Sequence, residues 1–296
     1  MKNYLTPEEL HQFQELGFVG PFKLIDPQDV DSVTRDIKKS VEKALFWRRF
    51  VKKIIDFLIP KRKKAARSSF SQETLKQNPL FRFPTFIWGK VKWDKGVHSS
   101  VPQIYRLSSQ PFIVEKVASI LGENILQWSS HIIDSEPSET YRWHGDVEHI
   151  EWKGLTVWVA LTNVSKESSM RLISRSHNLS DYTYPQELNN ECGLDVTQDD
   201  LVLQAAQKID PQCELISVDM KPGEFFIFDG RIWHSARNLS SKKRTSMIFQ
   251  YSPPSETIKI PITHRPPVLW KSSPPPCLLI RGKDEYGHNL IVPAPR

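Results

Sequence analysis

His144-Gly145-Asp146 sets an imidazole and a carboxylate two residues apart, and His234 follows 88 residues beyond the aspartate. In an extended segment residues i and i+2 point the same way, so one loop can offer both groups to a single ion. Gly145 between them permits a tight bend. Two neutral imidazoles and one carboxylate on one face of a ferrous ion leave its other positions to a co-substrate and dioxygen, which is what non-haem oxygen chemistry requires. The tripeptide alone is a weak signal, because a lone His is more often structural. Its companion is Arg244-Thr245-Ser246, which begins ten residues after His234.

If residues 244–252 form a strand, period-two alternation puts Arg244, Ser246, Ile248 and Gln250 on one face and Thr245, Met247, Phe249 and Tyr251 on the other. A guanidinium and a hydroxyl then lie side by side, a pair suited to the distal carboxylate of 2-oxoglutarate through a charge-assisted bidentate bond and a second donor. A surface Arg on an edge strand would not account for its position one hairpin after a ligand histidine. Glu224 to Asp229 is a run that leads straight to His234.

The elements that must carry these residues read as mainly β. Short apolar runs at Ile125 to Ile133, Leu155 to Thr162, Met170 to Ser174, Leu215 to Asp219, Glu224 to Asp229 and Arg244 to Ser252 are separated by Pro, Gly, Asn and Ser clusters, the layout of a jelly roll. A polar, acidic insertion spans 181–211. Helices precede this core: Thr6-Pro7-Glu8-Glu9 is a capping box with Pro at the first helical position, Asp26-Pro27 repeats the start signal for a helix to about Lys39, and Pro111 to Leu121 ends at Gly122. Phe18 to Phe22 reads as a short extended piece between the first two. From Val41 to Ile59 apolar residues recur at helical spacing with a basic opposite face, until Pro60. The tail from Pro253 to Pro295 is proline-rich and extended, packed on the domain or partly loose. A single domain over 1–254 is expected, with a helical layer over 1–122 and the jelly-roll core over 123–254, followed by a packed tail over 255–296.

The chain's 296 residues with 39% apolar content suffice for a sizeable core. Its net charge of +6 resides in one place: residues 38–67 hold twelve Lys or Arg against Glu42 and Asp56, so the rest of the chain carries −4. That localisation, with no base-stacking motif, excludes nucleic acid as the expected partner. The basic helix reads first as a solvated face, then as a lid for an anionic substrate or a surface for anionic lipid. No run of apolar residues is long enough to span a membrane and no secretory signal opens the chain, so a cytoplasmic protein is expected. Cys192, Cys213 and Cys277, odd in number and widely spaced, argue against disulfides and zinc ribbons.

The stretches LTPEELHQFQELGFV, WHGD, LTVWVALTNVSKESSMRLISRSH and PGEFFIFDGRIWHSARNLSSKKRTSMIFQYS resemble the phytanoyl-CoA dioxygenase family of iron- and 2-oxoglutarate-dependent oxygenases over most of residues 5 to 252. The resemblance implies a double-stranded β-helix (jelly roll, cupin-like) with N-terminal helices and a long inter-strand insertion. It puts His144, Asp146 and His234 on the family's iron ligands and Arg244 with Ser246 on its 2-oxoglutarate anchor. Gln127, 17 residues before His144, falls where related hydroxylases place a Gln near the co-substrate, with Ser129 and His131 on its face by alternation. The cofactors implied are Fe(II), 2-oxoglutarate and dioxygen, with succinate and carbon dioxide as by-products. Family halogenases carry a small residue in place of the carboxylate, so Asp146 favours hydroxylation or a related oxidation. Ser169-Met170-Arg171-Leu172 and Ser174-Arg175-Ser176-His177 depart from the family's Gly-Cys-Leu turn and Pro-Gly-Ser-His segment.

His149, Trp152 and Trp233 are the candidates for lining the substrate pocket, with Trp143 a further possibility, while Trp158 reads as core and His177 as structural. The expected substrate is a small organic molecule, with an anionic or carrier-linked one among the options, oxidised at an aliphatic carbon. Two other classes fit parts of the chain: a non-catalytic cupin-like metal-binding protein, which would keep the histidines but not need Arg244, and a peripheral membrane or partner-binding protein using the basic helix 41–67. Nothing in the chain specifies an oligomeric state.

Overall fold

Thr6 opens helix α1 (Pro7–Leu16): its hydroxyl accepts from the Glu9 amide at 3.2 Å, and the Glu9 carboxylate accepts from the Thr6 amide at 2.9 Å, the reciprocal cap that the sequence predicts. Gly17 ends the helix at φ 83°, where a Cβ would also meet the His177 ring at 2.5 Å. The computed structural model describes residues 3–46, 50, 95–146, 153–179, 185, 188–189, 193–258 and 275–296.

The short extended piece expected after α1 is strand β1 (Phe18–Lys23): it pairs antiparallel with a jelly-roll strand and forms one edge of the large sheet. An edge is where Pro21, which lacks an amide hydrogen, can be tolerated. Helix α2 (Val30–Ala44) starts later than Asp26-Pro27 predicts, because Asp26 pairs with Lys23 at 2.5 Å and residues 27–29 form a turn. α2 runs unbroken through Ser40. Most of the basic helix expected over 41–67 lies outside the described residues. After a short 3-10 turn, Val97–Ser99, come α3 (Pro102–Ser108) and α4 (Pro111–Leu121).

The remaining elements are β2 (Ile125–Ser135), β3 (Leu155–Thr162), β4 (Met170–Ile173), α5 (Asp199–Gln207) within the insertion, β5 (Leu215–Ser217), β6 (Glu224–Asp229), β7 (His234–Ala236), β8 (Arg244–Ser252), β9 (Pro276–Arg281) and β10 (Leu290–Ile291). They make a seven-stranded sheet in the order β1-β6-β3-β8-β2-β9-β10 and a three-stranded sheet β5-β4-β7. This is the mainly β jelly roll that the strand spacing predicts. The proline-rich tail adds to it: β9 pairs antiparallel with β2, and β10 pairs parallel with β9.

Alternation along each strand sorts the core into layers. Val157, Val159, Phe225, Ile227, Met247, Phe249 and Tyr251 face the N-terminal helices and pack with Ile37, Val41, Ile104 and Ile113. Their sequence neighbours Trp158, Ala160, Phe226, Phe228 and Ile248 share a cluster with Met170 and Leu172 of the small sheet. A third cluster, Trp143, Ile173, Val202, Ala206 and Trp233, lies behind the small sheet against α5. Among the described residues no helix is long and apolar enough to cross a membrane.

Phe225 joins three elements, its ring 5.4 Å from Phe22 of β1 and 5.9 Å, edge-on, from Phe112 of α4. Phe225→Ala should cost about 3–5 kcal/mol of stability, read from the denaturant midpoint at unchanged slope. His98 supplies a pH signature. It is fully buried, its Nε2 donates to the Pro276 carbonyl at 3.0 Å, and burial pushes its pKa from 6.5 to about 4. The unfolded chain therefore binds a proton between those values that native His98 does not, so stability is complete above the window and falls as pH drops through it, on the order of 3 kcal/mol in all. His98→Gln should flatten that part of the profile in unfolding titrations run between pH 7 and 4.

Candidate metal and anion site

His144 and His234 are direct cross-strand partners. The His144 amide donates to the His234 carbonyl at 3.0 Å and the His234 amide donates back at 2.9 Å. Segment 140–144 is thereby held along β7 and the residue after it by two bridges, His144 to His234 and Thr140 to Arg237. Directly opposed residues project to the same face, and the two imidazole centroids lie 4.3 Å apart. Asp146, two residues on, joins them: ligand atoms of His144, Asp146 and His234 all lie within 4.8 Å of one another.

Hydrogen bonding leaves the right atoms free. His144 Nδ1 is 2.9 Å from the Arg142 carbonyl, and His234 Nδ1 is 2.9 Å from the Ile232 carbonyl. A carbonyl only accepts, so each Nδ1 carries a hydrogen, and Nε2 is the atom of each ring left to face a metal. Burial, then the neighbouring His234, pushes the His144 pKa down to about 4. Burial alone would raise the Asp146 carboxyl, but His234, His144, the Thr156 hydroxyl and Lys95 outweigh it and hold the carboxyl below its ordinary value. At neutral pH Asp146 is a carboxylate facing a neutral His144, the protonation that a divalent metal requires.

Arg244 and Ser246 share a face of β8 with Ile248, on the side of the small sheet. Arg244 is 1% exposed, and its one hydrogen bond to a described residue runs from Nη1 to the Ser168 carbonyl at 2.7 Å. Among the described residues no carboxylate pairs with it. Its Nε and the Ser246 hydroxyl are buried with no hydrogen-bond partner among the described residues. A buried guanidinium so placed is costly unless an anion completes it. Trp158 lies beneath it, 5.6 Å from ring centroid to guanidinium carbon, and Phe228 backs the His234 ring at 4.9 Å.

Other expected residues lie elsewhere. Gln127 is not on the face of Ser129 and His131: a bulge falls between Gln127 and Ser129, so Gln127 pairs with Tyr251, and its Oε1 accepts from Ser108 of α3 at 2.8 Å on the helical side. Trp233 is fully buried behind the small sheet, because it adjoins His234 and must face the other way. The same parity sends Trp143 there. His149 and Trp152 lie outside the described residues.

Thr156 and Arg171 are the contributors that motif reading missed. The Thr156 hydroxyl donates to Asp146 Oδ2; the available signal was a Thr inside the otherwise apolar run LTVWVAL, in step with Trp158. Arg171, one of the departures from the family pattern, pairs with Asp199 at the start of α5 and donates to Ser235 Oγ at 3.0 Å. Asp199 also accepts from Trp143 Nε1 at 3.0 Å. One ion pair thus grips the neighbours of both histidines from behind.

A family model described as "Phytanoyl-CoA dioxygenase (PhyH)" matches residues 13–246. No curated protein matches the chain. Similar solved structures include "CytC3 with Fe(II) and alpha-ketoglutarate", 16% identical with a TM-score of 0.57 over 99% of this chain and 95% of that one. "Non-heme monooxygenase; ThoJ apo" is 18% identical, TM-score 0.56, over 97% and 87%. The "non-heme alpha ketoglutarate dependent carbocyclase SnoK from nogalamycin biosynthesis" is 16% identical, TM-score 0.50, over 84% and 85%. At these identities the likeness is one of fold.

Arg171→Met, close in length but uncharged, leaves Asp199 with Trp143 Nε1 and the Arg237 guanidinium 3.6 Å away, and removes one of the two hydrogen bonds of Ser235. With both side chains of the pair largely buried, it should cost about 3 kcal/mol, and adding Asp199→Leu should recover part of that loss. Equilibrium unfolding of the single and double variants measures both effects.

Proposed function

The chain belongs to the phytanoyl-CoA dioxygenase family, and from that premise we propose that it is an Fe(II)- and 2-oxoglutarate-dependent oxygenase that hydroxylates an aliphatic carbon of a small organic or carrier-linked substrate. The observation that carries the reading is the pairing of two sites on facing sheets: a His-Asp-His donor set and, opposite, the buried Arg244, which has no carboxylate partner among the described residues, beside a Ser246 hydroxyl with no hydrogen-bond partner among them. A protein that only bound metal would have no use for that second site.

The donor chemistry fits iron. His144 Nε2, His234 Nε2 and an Asp146 oxygen are a facial set of two imidazoles and one carboxylate. Bound iron(II) and 2-oxoglutarate would supply the oxidising power, with dioxygen converting the oxo acid to succinate and carbon dioxide as the substrate is oxidised. The chain's own residues do the rest. Arg244 neutralises and orients the distal carboxylate of the co-substrate, and Ser246 gives it a further hydrogen bond. Trp158, Phe228 and Ile248 present apolar surface between the two anchors, which keeps water away and fixes the span between them. Asp146 supports oxygenation over halogenation, because its oxygen fills the position that a halide would need. The fold does not choose among oxidative outcomes, since a carbocyclase shares it.

Iron-loaded protein with 2-oxoglutarate should release succinate even without substrate. His144→Ala or a chelator should abolish that release, and Arg244→Ala should raise the 2-oxoglutarate requirement about a hundredfold, the scale of truncating one partner of a buried charge pair. Wild-type protein that neither binds nor consumes 2-oxoglutarate would overturn the reading.

A further inference from the structure

We propose that Thr156, held by Gln250, is a positioning residue that makes Asp146 a one-oxygen ligand, engaging Oδ2 and leaving Oδ1 alone to meet the metal. The inference rests on the iron reading above. Thr156 is 1% exposed in the middle of β3, and its hydroxyl has one hydrogen to give. Ionised Asp146 can only accept, so that hydrogen goes to Oδ2. Gln250 stands directly opposite Thr156 on β8, and its Nε2 reaches the same hydroxyl oxygen at 3.4 Å. Gln250 donates to Thr156 and Thr156 donates to Asp146, so the chain of bonds has one direction and ends on one carboxylate oxygen. The other oxygen, Oδ1, is the one turned to His234 Nε2, 3.6 Å away.

The consequence is the number of positions left open. At an ion of about six positions, two imidazoles and a carboxylate bound through both oxygens leave two. The two donors of an oxo acid would fill them, with none left for dioxygen. A carboxylate restricted to one oxygen keeps that third position. The restriction comes from strands of the large sheet, β3 and β8, whereas the histidines sit on the small one, so the two sheets must be in register for the ligand to be presented correctly. Thr suits the position: it carries the donor and is β-branched, as a buried strand prefers.

The test is Thr156→Val, which keeps the shape and removes the donor, beside Thr156→Ser, which keeps the donor. Thr156→Val should weaken Mn(II) binding about ten- to a hundredfold, the usual range for losing a partner that orients a metal ligand. It should also weaken the visible charge-transfer absorption of the anaerobic Fe(II)–2-oxoglutarate complex. Thr156→Ser should restore both, and thermal unfolding in chelator should be alike for the two variants, which a merely structural role would not give. Gln250→Leu should weaken Mn(II) binding on its own and have no further effect on Thr156→Val; its first effect carries the test if Thr156→Val does not fold. Wild type that binds Mn(II) while Thr156→Val matches it in affinity and absorption overturns this inference alone. So does a Gln250→Leu effect of equal size in both backgrounds. Wild type that binds no Mn(II) overturns the iron reading and this inference with it.

Discussion

The two backbone hydrogen bonds exchanged by His144 and His234 are the constraint from which the site follows. They connect residues 90 apart in sequence and fix both side chains on one face of the small sheet. With those two inward, parity along each segment leaves no choice: Trp143, Trp233 and Ser235 turn outward, and Asp146 returns to the inner side. A one-residue slip of either segment would replace an imidazole by an indole or a hydroxyl. The register of a single short ladder therefore also decides which side chains form the proposed metal-ligand set.

So short a ladder needs support, and the support comes from behind. Trp143 and Trp233 share the cluster against α5, and Asp199, Arg171 and Ser235 tie the outward neighbours of both histidines together. The insertion that carries α5 thus backs the ligand segments, which a long polar excursion between strands does not announce in sequence. Arg171 belongs to the same arrangement: it is a cation of β4 whose partner Asp199 arrives from the chain's own insertion.

Much of the site was legible because chemistry and period-two geometry constrain it jointly. Arg244 and Ser246 could be placed together from alternation alone, since β8 pairs without a bulge along its length with β2 from Ser129 to Ser135. The same rule failed at Gln127, where a bulge inserted between Gln127 and Ser129 reversed the face, and nothing in the residues 127–129 marks a bulge. Trp233 was misplaced for the opposite reason: proximity in sequence to a ligand suggested the pocket, although adjacency in a strand guarantees the opposite face. At Asp26-Pro27 the local cap signal lost to an ion pair with Lys23 and a turn. The tail reads as proline-rich and extended, packed or partly loose, and Cys277, Leu278 and Leu279 are buried or half-buried residues of a strand that its composition does not announce. A partner strand, unknown from the tail's own composition, decides that.

Polar atoms on the inner faces have a thermodynamic role as well as a chemical one. Arg244, Ser246, Asp146 and the histidines occupy space that apolar side chains would fill with a net gain, and a buried unpaired cation lowers the stability of the ligand-free chain. The layers that face away from the site offset this: the helix-facing cluster of the large sheet and the α5-facing cluster of the small one bury many apolar side chains. Stability is thus supplied on the two outer faces and spent between them, where the unpartnered donors wait for an anion. Any ligand that completes those groups binds only the native state, so at a hundred times its dissociation constant it adds about 2.7 kcal/mol to stability. The interior that makes the chain receptive to a metal and an acidic co-substrate is the same interior that leaves it less stable without them.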